Sequence, residues 1–190
     1  VGVATPWVPQ RSGIADYSTT IFIELAKEVD VTVYTTSDAV VDSSSGVRQA
    51  SIEDVFEDPE SVEAAHDLLI TVIGNSHFHL PFVQVQEVID SVAIAHDTRM
   101  IEFYLALRGP GGVQQLMLRT ADPDAPNSIT PILDDQVNDM RLLQNAGLWE
   151  VARRSEALVL HTPGARERIE RETGVSARVL PFAHYRAFVP

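Results

Sequence analysis

Short apolar runs alternate along this chain with stretches of helical periodicity, the rhythm of βαβ units that build a parallel sheet. Val1–Ala4 predicts a first strand. Thr5–Ser12 follows as a loop, and a helix is expected from about Gly13 to Val29. There Ile14, Tyr17, Ile21 and Leu25 recur at helical spacing, with Ser12 or Asp16 as its cap. Val31–Thr35 predicts a second strand, and Ser37–Gly46, rich in Ser and Asp, an exposed loop. A short helix is expected to start at Ser51–Phe56 and to be broken by Asp58-Pro59. Leu68–Ile73 is an almost unbroken apolar run ending at Gly74, as in a central strand covered on both faces. Further along, the pattern predicts a helix from about Pro81 to Ile89 and a buried strand at Val92–Ala95. Another helix is expected over Asp97–Leu107, ended by Gly109-Pro110-Gly111-Gly112. Thr120–Pro131, with Pro123, Pro126 and Pro131, reads as a long polar loop. Leu142–Arg154 reads as a helix, Leu158–Leu160 as a strand, Pro163–Glu172 as a helix, and Val179–Leu180 as the start of a last strand.

The expected fold is therefore α/β: a Rossmann-like, mainly parallel sheet flanked by helices, in a single domain spanning 1–190. Its polar chemistry falls in a regular place. Arg11-Ser12-Gly13, Gly74-Asn75-Ser76-His77, His96-Asp97 and His161-Thr162 each follow the end of a predicted strand. In an open parallel sheet all those ends share one edge, where ligands bind. Topology thus predicts that four segments distant in sequence converge.

Size and composition narrow the class. A chain of 190 residues can bury roughly 70% of its unfolded surface around one core. No apolar run reaches the ~18 residues of a membrane span, and no signal peptide is visible. The chain opens in an apolar strand without Met, so a few leading residues are expected ahead of it. Cysteine is absent, which excludes thiolate metal sites and Cys nucleophiles and fits a cytoplasmic location. A net charge of −13 repels nucleic acid and anionic lipid over most of the surface. Arg153, Arg154, Arg166, Arg168 and Arg171 cluster late in the chain and read as solvated helix faces.

The candidate chemistry is confined to a few residues. Gly13 opens a helix, so the first amides of that helix point outward, either to hold a phosphate or as a plain tight turn. Neither a G-x-G-x-x-G fingerprint nor a P-loop is present, and no G-x-S-x-G elbow marks a hydrolase. His77 and His79 form an H-x-H pair without an obvious carboxylate partner, so no metal site is expected. His96 directly follows a buried strand and reads as a site histidine with a pKa near neutrality, able to donate or accept one hydrogen bond, with a structural strand-end histidine as the alternative. His161 leaves the same two alternatives open, while His66 and His184 are expected to be structural. Trp7, Phe78 and Phe82 are rings that either face a sugar or, more in keeping with their type, fill the core.

At these positions the chain resembles a known family. Pro9-Gln10-Arg11-Ser12-Gly13-Ile14-Ala15-Asp16-Tyr17-Ser18 is similar to the first loop and helix of family 4 glycosyltransferases with the GT-B fold. Gly74-Asn75-Ser76-His77-Phe78-His79 resembles their "GNSxFH" segment, and His96-Asp97 their "HD". Val159-Leu160-His161-Thr162 with Ala165-Arg166 resembles their "V-x-H-[ST]-x-x-A-R" segment, and Val179-Leu180-Pro181 their "V-x-P" before the interdomain linker. The order matches over nearly the whole chain, and the first two motifs together are fairly specific.

The resemblance implies the N-terminal, acceptor-side half of a two-domain retaining glycosyltransferase that needs no metal or other cofactor. It places the donor diphosphate against Ser12, Gly13 and Ile14, and the transferred sugar beside a catalytic His96. Asp16, Tyr17, Asn75, His77, Asp97 and His161 would line the cleft. The partners implied are a nucleotide-sugar donor, held mostly by a second domain, and a sugar, lipid or other acceptor. That second domain, with its Glu-x7-Glu motif, does not fit within the chain, so isolated 1–190 is expected to be inactive, as an excised domain rather than a truncated gene product. Phe182-Ala183-His184 follows Pro181 where the family often has His directly after Pro. Two other readings stay open: an enzyme of another class on the same fold, such as a sugar epimerase, and a non-catalytic module that binds a glycan or a protein in its cleft.

Overall fold

A computed structural model of the chain describes residues 1–119 and 147–183. They form an α/β fold around one seven-stranded sheet: β1 (Gly2–Ala4), β2 (Val31–Thr35), β3 (Val47–Ser51), β4 (Leu69–Ile73), β5 (Val92–Ala95), β6 (Ala157–Leu160) and β7 (Ala177–Val179). The strand order is β3-β2-β1-β4-β5-β6-β7, and every neighbouring pair is parallel. The chain steps outward from β1 to β3, then returns to lay β4 on the other side of β1. The order reverses between β1 and β4, which is where open α/β sheets carry a crevice.

Helices cover both faces. Val3 packs with Trp7, Phe22, Val33 and Val72, whereas its neighbour Ala4 packs with Ile52, Val55, Phe82 and Ile89. Successive strand residues point to opposite faces, so this split of adjacent β1 residues puts α1 (Gly13–Leu25) on one side and α2 (Ile52–Glu57), α3 (Pro59–Ala64) and α4 (Leu80–Val85) on the other. A third cluster joins β5 and β6 to α5 (Ile101–Arg119), α6 (Trp149–Arg154) and α7 (Pro163–Thr173) through Phe103, Tyr104, Val151 and Ile169. No helix among the described residues is long and apolar enough to cross a membrane.

The helix starts are built by local side chains. Ser12, extended in backbone, caps α1 by accepting from the Ile14 amide at 3.2 Å, so the role lies with Ser12 and not Asp16. Ser51 and Asp54 form a capping box on α2. Thr162 caps α7, Pro163 sits in its first turn, and left-handed Gly174 (φ 69°) closes it.

Several expectations are corrected. The strand β3 does not appear in the hydrophobic pattern, because an edge strand needs a partner on one side only. Val47 is buried while Arg48 and Gln49 are exposed. Asp58-Pro59 does not merely end a helix: Asp58 caps α3 and Pro59 opens it. The helix expected from Asp97 begins at Ile101, and the Asp97 carboxylate instead accepts from the Asn75 amide in the loop after β4. That helix also runs beyond the glycines. The backbone breaks at Gly109 (φ 63°, ψ −175°), and Pro110 opens a second helical piece extending to Arg119. The last strand ends at Val179 rather than starting there. The Thr120–Pro131 loop, the first part of the helix expected at Leu142–Arg154, and His184 lie outside the described residues. His66 is structural, its Nε2 hydrogen-bonded to the Tyr34 hydroxyl at 2.8 Å.

Candidate functional site

The C-terminal ends of β4, β5, β6 and β7 open onto one cavity of about 420 Å³. Asn75 after β4, His96 and Asp97 after β5, His161 after β6 and Phe182 beyond β7 all line it. Tyr17 of α1 joins the same rim, whereas Ser12, Gly13 and Ile14 do not line the cavity. Tyr17 lies edge-on to His96, with ring centroids 4.7 Å apart, and also meets His161 at 6.3 Å and Phe182 at 5.6 Å.

Asn75 and Asp97 tie the rim together. The Asn75 amide donates to Asp97 Oδ2 at 2.7 Å. Its side-chain oxygen accepts from the Phe103 amide at 3.0 Å, and its Nδ2 donates to Glu102. Glu102 in turn pairs with Arg99. One asparagine thus pins the end of β4 to the first turn of α5, satisfying a helix-start amide in the process.

Two histidines stand together in the cavity. His96 and His161 stand with centroids 4.7 Å apart, and Phe182 stacks on His161 at 3.7 Å with 23° between the rings. His161 is 7% exposed. Its Nδ1 lies 2.8 Å from the Leu180 carbonyl, which can only accept, so Nδ1 carries the proton and Nε2 a bare lone pair. The Nε2 atoms of both histidines are buried and make no hydrogen bond among the described residues. Burial, reinforced by repulsion from His161 and His79, pulls the His96 pKa from 6.5 down to about 3. Burial lowers that of His161 too, against its bond to Leu180. Near pH 7 the site therefore presents two neutral imidazoles, and the near-neutral pKa expected of His96 is corrected: loss of water around its ring carries it well below that range.

Two glycines near this rim, neither of them lining the cavity, differ in their surroundings. A Cβ at Gly74 would meet Ile14 Cδ1 at 2.2 Å and His79 Nε2 at 2.8 Å, because the start of α1 is pressed against the end of β4. A Cβ at Gly13 would meet nothing within 4 Å, so local packing places no demand for glycine there. The Ile14 amide is engaged by Ser12, while Gly13 itself lies exposed at the helix start.

Other expected residues lie apart. His77 and Asp16 are exposed and do not line the cavity, and the His77 ring contacts Phe78 at 4.1 Å. His79 points the other way, 1% exposed, its Nδ1 3.3 Å from the Val72 carbonyl and its pKa lowered by burial to about 4. The H-x-H pair is thus split between surface and core. Among the described residues no group of three or more His, Cys, Asp or Glu is placed to hold a metal. Trp7 and Phe82 are core residues, and Phe78 is half-exposed away from the cavity. The late arginines are largely spent on surface ion pairs: Arg154 with Glu87, Arg166 with Glu170 and Arg168 with Glu172.

Phe182, Arg99 and Glu102 were missed as cavity residues. Arg99 and Glu102 carry a legible signal, opposite charges three apart just after a strand-end His-Asp. Phe182 carries none, since its place depends on how the chain leaves β7.

These features define an α/β protein with a Rossmann-like parallel sheet and a polar, histidine-bearing cavity at its C-terminal edge. No protein-family model matches the chain, and no curated protein matches it either.

Proposed function

We propose that the protein containing this domain is a retaining glycosyltransferase, with 1–190 forming the N-terminal, acceptor-side wall of its cleft. The observation that carries this reading is the meeting of His96, His161, Asn75 and Tyr17 of α1 at one sheet edge. These are the positions whose motifs resemble the glycosyltransferase family. Neutral His96 suits a hydrogen bond to the sugar being transferred, since an uncharged imidazole offers one donor and one acceptor. Gly13, free of packing demands at a helix N-terminus, suits close approach of a diphosphate, whose developing charge the helix dipole would stabilise. Asn75 and Asp97 act in this reading as positioning residues that hold the rim.

The test is nucleotide release by the full-length protein with a panel of nucleotide sugars. His96→Ala is expected to lower turnover by about two to four orders of magnitude while leaving the circular dichroism spectrum unchanged. Near-normal turnover in that variant would remove His96 from the reaction, and turnover with no nucleotide sugar in the panel would remove the reading itself.

A further inference from the structure

We propose that Phe182 is the movable cover of the cavity: it closes the Nε2 atoms of His96 and His161, and by swinging away it presents His161 Nε2 as a hydrogen-bond acceptor to a ligand bearing hydroxyl donors. This inference stands without the glycosyltransferase reading.

It begins with two polar atoms that have nowhere to go. Buried side-chain nitrogens are almost always paired, because an unpaired one has given up water for nothing. Here two such nitrogens, His96 Nε2 and His161 Nε2, belong to rings whose centroids are 4.7 Å apart. The ring against them is that of Phe182, stacked on His161 and 5.3 Å from His96. A phenyl ring laid on the imidazole face helps keep water from the ring and offers its nitrogen no hydrogen bond. Tyr17, His96 and His161 belong to a helix or to strand ends, whereas Phe182 lies on an irregular segment beyond β7 and is 48% exposed. An exposed side chain on irregular backbone changes rotamer in picoseconds to nanoseconds.

What lies beneath the cover is pre-set. The Leu180 amide donates to the Leu160 carbonyl at 2.8 Å, and the Leu180 carbonyl accepts from His161 Nδ1 at 2.8 Å. These two bonds pin the chain two residues before Phe182 and hold the His161 tautomer with Nε2 bare. The histidine therefore selects ligands that bring a donor and disfavours acceptors such as carboxylate at that point. Ring motion at Phe182 leaves the Leu180 anchor in place.

Diethyl pyrocarbonate, which acylates bare imidazole nitrogen, tests the cover, with modified sites mapped by peptide mass spectrometry on the chain. In the wild type His161 is expected to react more slowly than exposed His77. Phe182→Ala is expected to speed His161 about tenfold, with His66, His77 and core His79 unchanged. Phe182→Leu should fall between, and Phe182→Trp should react no faster than wild type. If Phe182→Ala loosens the fold, as a rise at His79 would show, the Leu and Trp variants decide by their order. A His161 rate independent of residue 182 overturns the cover. Side-chain nitrogen–proton correlation spectra test the acceptor: protonated Nδ1 with bare Nε2 supports it, and protonated Nε2 overturns it.

Discussion

Two clusters of buried polar side chains lie beside this sheet, and they are finished to different degrees. Between α5 and α6, Glu150 accepts from both Arg108 terminal nitrogens at 3.0 Å and from the Tyr104 hydroxyl at 3.1 Å, while the Arg108 guanidinium lies 5.1 Å from the Tyr104 ring centre. Burial alone would raise the Glu150 pKa, but the bonds from Arg108 and Tyr104 outweigh it and hold the carboxylate ionised. At the C-terminal edge, His161 is buried and His96 part-buried, and the Nε2 atom of each is buried and unpaired among the described residues. A polar cluster whose bonds are closed internally contributes to stability. One that leaves atoms open keeps them for a ligand and contributes less to the fold.

The largest expected effect falls on the closed cluster. Glu150→Ala should cost about 2–3 kcal/mol, somewhat below a fully buried pair because Arg108 remains part-exposed. A urea denaturation midpoint close to wild type would show that the cluster is not a stability element. Next comes the packed glycine near the rim: Gly74→Ala should destabilise by about 2 kcal/mol, since the new methyl collides with Ile14 and His79. An unchanged melting midpoint would mean that α1 yields easily there.

Acid should separate the clusters. The His96 pKa is about 3 in the folded chain against an ordinary 6.5, so between those values the unfolded chain binds more protons. Stability is therefore full above 6.5, falls with pH through this window, and stops changing from this source near 3. His79, at about 4, adds to the same fall. His96→Asn should make the fall shallower by about 1 kcal/mol per pH unit, read from denaturation midpoints across the window. Equal slopes for variant and wild type would contradict a buried neutral His96. The smallest effect is reserved for Gly13→Ala, expected within about 0.5 kcal/mol of wild type because its methyl meets nothing. A large loss would show that glycine at 13 serves the fold rather than a ligand.

The alternation of apolar runs and helical periods determined that this chain forms a parallel α/β sheet. β1, β2, β4, β5 and β6 fall where continuous or alternating Val, Ile and Leu place them, and the strand ends at Asn75, His96 and His161 follow from that pattern. It missed β3, whose polar edge needs only one hydrogen-bonding neighbour, and it placed β7 too late. Local chemistry offered Ser12 as a cap, alongside Asp16, and Ser51 and Thr162, not singled out as caps from the sequence, start their helices in the same way, because a cap is made by a side chain and amides two or three residues away.

Only the tertiary structure decided what each polar residue does once the ends have met. It turned Asn75 into a clamp on α5, sent His79 into the core and His77 to the surface, and set Phe182 against His161. Such roles depend on distances between segments remote in sequence and on which atoms lose water. Periodicity reports which face of an element is buried, and it carries no information on which neighbour does the burying.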